Sequence, residues 1–122
     1  MKTAELKGNA LDWAVAKAKG ITVYPSKQGK KWLSKRWMTA DYGEFNHRHG
    51  TPWWNPSTDW AQGGPIIERE RITLRNYKPA LWDASIGRLD YVGDGKTPLI
   101  AAMRCYVASK LGEEVEIPDE LK

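Results

Sequence analysis

The chain has 122 residues, 41% apolar and 28% charged, with seven Trp, five Tyr and a formal charge of +4. That length supports one core, and this much apolar and aromatic content excludes a disordered, collagen-like or low-complexity chain. Apolar runs are short and charge-interrupted, Met1 to Glu5 lacks a signal-peptide core, and the single cysteine, Cys105, rules out an internal disulfide or a thiolate zinc cage. The expectation is therefore a cytoplasmic protein without membrane contact.

Residues 1–122 read as a single domain with two electrostatically unlike halves. Residues 1–58 hold ten Lys and Arg against four Asp and Glu, whereas 59–122 hold nine against eleven. The basic excess is densest at Lys27, Lys30, Lys31, Lys35 and Arg36, interleaved with Trp32 and Trp37, in a Trp-rich loop around 26–56. An acidic tail covers 113–122. Basic side chains alternating with aromatics suit a surface that holds phosphate while stacking a base, and equally a solvated loop anchored by its Trp residues.

In chain order, the first predicted helix runs from Asn9, as N-cap, to Lys19, with Ala10, Leu11, Ala14, Val15 and Ala18 at helical spacing and Gly20 as the stop. Asp12 in its opening turn reads as a charge complementing the helix dipole. Ile21 to Tyr24 is β-prone and ends at Pro25. Ile66 to Tyr77 and Leu81 to Val92 read as an antiparallel strand pair, because Asn76 to Ala80 is too short for a parallel crossover. Glu68 is expected to pair with a neighbouring Arg. The last helix runs from Thr97, as N-cap, through Pro98 to Leu111, stopped by Gly112, and it is apolar around most of its circumference. Arg104 interrupts that pattern and must reach the surface or find a partner, while Cys105 reads as a small core residue. The resulting fold class is α+β, a small antiparallel sheet packed by an N-terminal and a C-terminal helix.

Between these elements lies Pro52-Trp53-Trp54-Asn55-Pro56-Ser57-Thr58-Asp59-Trp60-Ala61-Gln62-Gly63-Gly64-Pro65, a built loop in which broad aromatic faces alternate with short polar groups. It either folds back on the core or forms a pocket wall. The second alternative defines a ligand-binding set: Trp53, Trp54 and Trp60 for stacking, Ser57, Asp59 and Gln62 for hydrogen bonds, Gly63 and Gly64 for backbone N–H groups, and Arg69, Arg71 and Arg104 for phosphate.

Three segments carry a family resemblance: Leu11-Asp12-Trp13-Ala14-Val15-Ala16, then Ser57 through Glu70, then Thr97 through Val107, followed by Gly112-Glu113-Glu114-Val115-Glu116-Ile117-Pro118. Together they resemble the NinX-like family of lambdoid bacteriophages, a domain of unknown function. The resemblance implies a phage origin and action in the cytoplasm of an infected bacterium, and it brings no catalytic residues with it.

Catalytic patterns are weak. His47 and His49 flank Arg48, but no metal-protease or paired-cysteine spacing accompanies them, Ser57 lacks a nucleophile elbow, and Gly63-Gly64 lacks the Lys-Ser/Thr of a phosphate-binding loop. No metal or cofactor is expected. The leading functional expectation is a non-catalytic phage accessory protein that sequesters a nucleotide-like small molecule, such as a host immune signal, in the manner of a counter-defence protein. A module that inhibits a host protein complex through Trp and Arg is the alternative, and nucleic-acid binding through the basic loop ranks below both. So many Trp residues also allow a homo-oligomer.

Overall fold

Thr97 adopts extended backbone and its Oγ1 accepts the Ile100 N–H at 3.1 Å, while Pro98 takes the first helical position, where a missing N–H leaves no bond unmade. The structure is a computed structural model describing residues 1–21, 23–25, 37–39, 53–118 and 121. Helix α3 spans Pro98–Leu111, and Gly112 ends it at φ 88 with its N–H donating to Ala108 O. Both termini fall where the sequence places them. The apolar circumference also finds its explanation, since Leu99, Ala101, Ala102, Met103, Cys105, Tyr106 and Val107 are all buried. Each of the larger ones contributes ~1.5–3 kcal/mol of burial before entropy is subtracted.

Helix α1 spans Gly8–Lys19, packs against α3 and buries Leu11, Ala14 and Val15 in the core. Its C-terminus is the one expected, with Gly20 in the left-handed region at φ 79 and its N–H donating to the Ala16 and Lys17 carbonyls. Its N-terminus is earlier than expected. Lys7 holds the cap position without a side-chain bond, Gly8 starts the helix at φ 57, and Asn9 lies inside the first turn. Asp12 is consequently beyond the first turn, too far along to act as a dipole-complementing charge.

The sheet behind α3 has three antiparallel strands in the order β4 (Thr73–Lys78), β5 (Leu81–Ile86) and β6 (Tyr91–Gly95). Arg75 pairs with Asp83 and Asp83 with Asp94, which places these residues on the face away from α3. The expected β4–β5 hairpin is present. Its connection is Pro79-Ala80, with a bulge between Asn76 and Lys78 and Ala80 at φ 59, the left-handed residue after proline that a type II turn requires. A second, smaller antiparallel sheet joins β1 (Val23–Pro25), β2 (Trp37–Thr39) and β3 (Trp53–Trp54), and β2 touches α1. The architecture is α+β, as expected, with the two terminal helices packed on antiparallel strands.

Two assignments are corrected. Leu81 to Val92 is not one strand, because Gly87 at φ 68 and Leu89 at φ 67 turn the chain and Asp90 N–H bonds to Ile86 O, creating β6. Ile66 to Glu70 is not a strand either. It belongs to α2 (Trp60–Glu70), a helix that contains Gly63, Gly64 and Pro65.

Contact between α3 and β6 is close enough to exclude side chains. A Cβ on Gly93 would lie 2.5 Å from Cys105 N and 2.6 Å from Ala101 O, and one on Gly95 would lie 2.6 Å from Ile100 Cγ2. The Gly93 obstruction is backbone and cannot swing aside. Gly93→Ala is therefore expected to destabilise the fold by at least ~2 kcal/mol in chemical denaturation, toward the upper end of overpacking costs. Ala80→Gly, relieving a left-handed alanine, is expected to raise stability by ~0.5–1 kcal/mol in the same measurement.

Candidate functional site

The described stretch from Trp54 to Gln62 folds back on the core. Asn55 O accepts the N–H groups of Thr58 and Asp59 at 3.0 and 2.9 Å, forming a tight turn, and Asp59 then caps α2 by accepting Ala61 N–H at 3.0 Å. Two side chains anchor the turn from either side: Gln62 Oε1 accepts Asn55 N–H at 2.7 Å, and Asp12 Oδ1 on α1 accepts Ser57 N–H at 2.9 Å. Trp54, only 1% exposed, donates its indole N–H to the Asp12 carbonyl at 2.8 Å. A Cβ on Gly63 would lie 2.6 Å from both Pro56 O and Leu99 Cδ2, so glycine lets α2 close on the turn and on α3 together.

Of the eleven residues predicted to bind ligand, Trp54, Ser57, Gln62 and Gly63 are thus buried in a joint among the three helices. Trp60 is 54% exposed and stands over Gly64, where a Cβ would sit 4.0 Å from its ring. Asp59 is occupied as a cap, Arg69 pairs with Glu70 at 3.3 Å, and Arg71 ends α2 exposed at φ 55. The backbone of Trp53 lies in β3; its side chain, together with Lys27, Lys30, Lys31, Lys35, Arg36, His47 and His49, falls outside the described residues. Among the described ion pairs it is Glu70, with Arg69 and Lys110, rather than Glu68, that bridges to cations.

Arg104 is elsewhere. Its Nε donates to Leu6 O at 2.8 Å and its Nη1 to Asp94 O at 2.7 Å, so a cation on an apolar helix is satisfied by two backbone carbonyls. Arg104 is half-buried, so its stem reaches the surface, and the partners described for it are carbonyls rather than an acid. Beside it opens a cavity of about 480 Å³, walled by Lys2 to Ala4, Asp90 to Gly93, Arg104, Ala108 and Gly112 to Glu114. No described residue of the loop 53–64 contributes to it.

The cavity's walls are tied together by a short ribbon in which Thr3 N–H donates to Glu113 O at 2.9 Å and Thr3 Oγ1 to Gly112 O at 2.6 Å. Cys105 lies behind Tyr91, its thiol donating to Tyr91 O at 3.4 Å, and burial pushes its pKa up to about 11, which leaves it a poor nucleophile. Sequence reasoning flagged Arg104 alone in this wall. The other walls come from segments far apart in the chain, and their sole local signal was the buried-cation problem that Arg104 posed.

The chain belongs to the family described as bacteriophage P22 NinX, which matches residues 2–110. It is therefore a phage accessory protein. No curated protein matches the chain. No helix among the described residues is long and apolar enough to cross a membrane.

Asp12 gives the joint a titratable centre. Burial drives its pKa from 3.8 to about 7, against the opposing pull of its hydrogen bonds from the Ser57 backbone and side chain. A carboxyl with a raised pKa binds more protons folded than unfolded, so folding stability falls as pH rises from about 4 to 7 and is level beyond. At ~1.4 kcal/mol per tenfold, the full effect is on the order of 4 kcal/mol. Asp12→Asn keeps an oxygen for Ser57 N–H and removes the charge. It is expected to flatten this pH dependence and raise the denaturation midpoint at pH 8, whereas an unchanged slope between pH 4 and 7 would show that Asp12 is not its source.

Proposed function

We propose that this protein captures a small nucleotide-like molecule without transforming it, and that the cavity beside Arg104 is where the molecule sits. The observation that carries this reading is the pairing of a ligand-sized hollow, about 480 Å³, with a guanidinium already oriented by two carbonyls. Guanidinium has five N–H donors, of which Leu6 and Asp94 engage one on Nε and one on Nη1. The remaining donors have no other described partner, and a preoriented fork suits a planar or anionic acceptor. Tyr91, exposed in the same wall, offers an aromatic face for a base.

In an infected bacterium, capture of this kind withdraws a signalling nucleotide from the host, which is the counter-defence reading. An alternative is favoured by a different surface. The sheet face turned away from α3 leaves Tyr77, Leu81 and Val92 exposed around the Arg75–Asp83 pair, a patch of the kind that docks a host protein.

Native mass spectrometry of gently purified protein, before and after denaturing release and with a panel of cyclic and ADP-ribose-type nucleotides, separates the two. The expected outcome is a nucleotide at fixed stoichiometry, lost in Ala108→Phe, a substitution that fills the cavity from a half-buried helical position. A clean mass with the whole panel, accompanied by a stable host protein partner, would transfer the function to the sheet face.

A further inference from the structure

An antiparallel sheet commonly shows one face to water, and that face is then polar. The face of β4-β5-β6 turned away from α3 departs from this. Its central row, set by strand pairing, is Arg75, Asp83 and Asp94. On one side of that row Thr73 and Ser85 lead across to Val92, and on the other lie Tyr77 and Leu81. Among the described residues only α3 packs extensively on the sheet, from the far side, and Tyr77 and Val92 stay 56% and 58% exposed. Apolar side chains thus flank a charged row on both sides.

The charged row is incomplete. Arg75 donates to Asp83 from Nε at 3.3 Å and from Nη2 at 3.2 Å, one bond to each carboxylate oxygen, and the Tyr77 hydroxyl adds a third at 2.8 Å. This side-on grip leaves the two N–H groups of Arg75 Nη1 with no described acceptor. Asp94 lies directly across from Asp83 on β6 and has no cation among the described ion pairs, although like charges opposite one another on a sheet are unfavourable. Unused donors therefore stand on β4 and an uncompensated carboxylate on β6, with β5 between them.

We infer that this face pairs with the same face of a second copy, about a twofold axis running along β5. Such an axis exchanges the two outer strands and keeps each row opposite itself. Arg75 of one protomer then faces Asp94 of the other, twice over, and Val92 faces Thr73. Leu81 meets its own copy on the axis, and so does Ser85, whose small side chain suits the ~10 Å spacing of packed sheets. The two Asp83 carboxylates also meet there, each already matched by its own Arg75 and Tyr77. A host protein on this face would have to bring both a cation for Asp94 and an acceptor for Arg75, whereas a second copy supplies both at the required separation.

Sedimentation velocity over a concentration series reads the association directly. A face three strands wide is small beside a standard interface, so the expected dissociation constant is on the order of 10 μM. Asp94→Arg and Arg75→Asp each set like charges against one another at both symmetric contacts, and each is expected to weaken the dimer roughly 100-fold. Mixed in equal amounts, the two variants are expected to associate about as tightly as the unaltered protein, because opposite charges then face at both contacts. Should Arg75→Asp lose its fold by circular dichroism, Asp94→Arg and Val92→Glu test the same face without it, each weakening the dimer. A monomer throughout the series would overturn the pairing and leave the face to a host protein. Dimers that persist in both Asp94→Arg and Val92→Glu would overturn it by placing assembly on another surface, and so would two folded charge variants that fail to recover association on mixing.

Discussion

The backbone of α3 lies where a side chain of Gly93 would be, and the rest of the arrangement follows from that contact. With Gly93 and Gly95 against Ala101, Cys105 and Ile100, the helix sinks onto β6 farther than an ordinary strand allows. Its opposite flank, rich in Met103, Tyr106 and Val107, is left to α1 and α2, and a helix apolar around most of its circumference becomes the centre of the molecule. The same approach carries Arg104 to the end of β6, where its fork reaches Asp94 O and Leu6 O together. One sterically enforced contact thereby sets both the core and the electropositive wall of the cavity.

The second organising feature is polar. The turn at residues 55–59 is held by Asp12 and Gln62, both buried, and each supplies an acceptor to a backbone N–H that has left regular structure. A carboxylate in that position is costly, as its displaced pKa shows, yet leaving the Ser57 N–H without an acceptor would cost as well. The most conspicuous stretch of the sequence thus works in large part as a hinge pin between helices, with Trp60 as its exposed remnant.

The parts legible in the sequence were those fixed by local chemistry. Thr97-Pro98, Gly112 and Gly20 mark helix ends by capping and left-handed backbone, effects that act within a turn of the residue concerned. Helix α2 was missed because Gly63-Gly64-Pro65 reads as a break, and Pro65 indeed deprives the Ala61 carbonyl of its intrahelical donor. The signal that identifies it is Asp59 three residues before Gln62, with Ile66 one turn further on, and tertiary packing of Gly63 against Pro56 and Leu99 outweighs the poor propensity. The cavity was illegible for another reason. It is assembled from four distant segments, and only the oddity of Arg104 in an apolar helix pointed toward it.

The ends of the β4-β5-β6 sheet are finished differently, and the difference governs how the protein behaves among other copies of itself. On the β4 side, the bulge at Asn76 and Lys78 and the following Pro79 interrupt the regular row of donors and acceptors that a neighbouring strand would need. On the β6 side the interruption is chemical, with the carbonyls of Tyr91 and Asp94 accepting from Cys105 and Arg104. Among the described residues neither flank offers a clean ladder to a strand from another molecule, which disfavours growth by edge pairing.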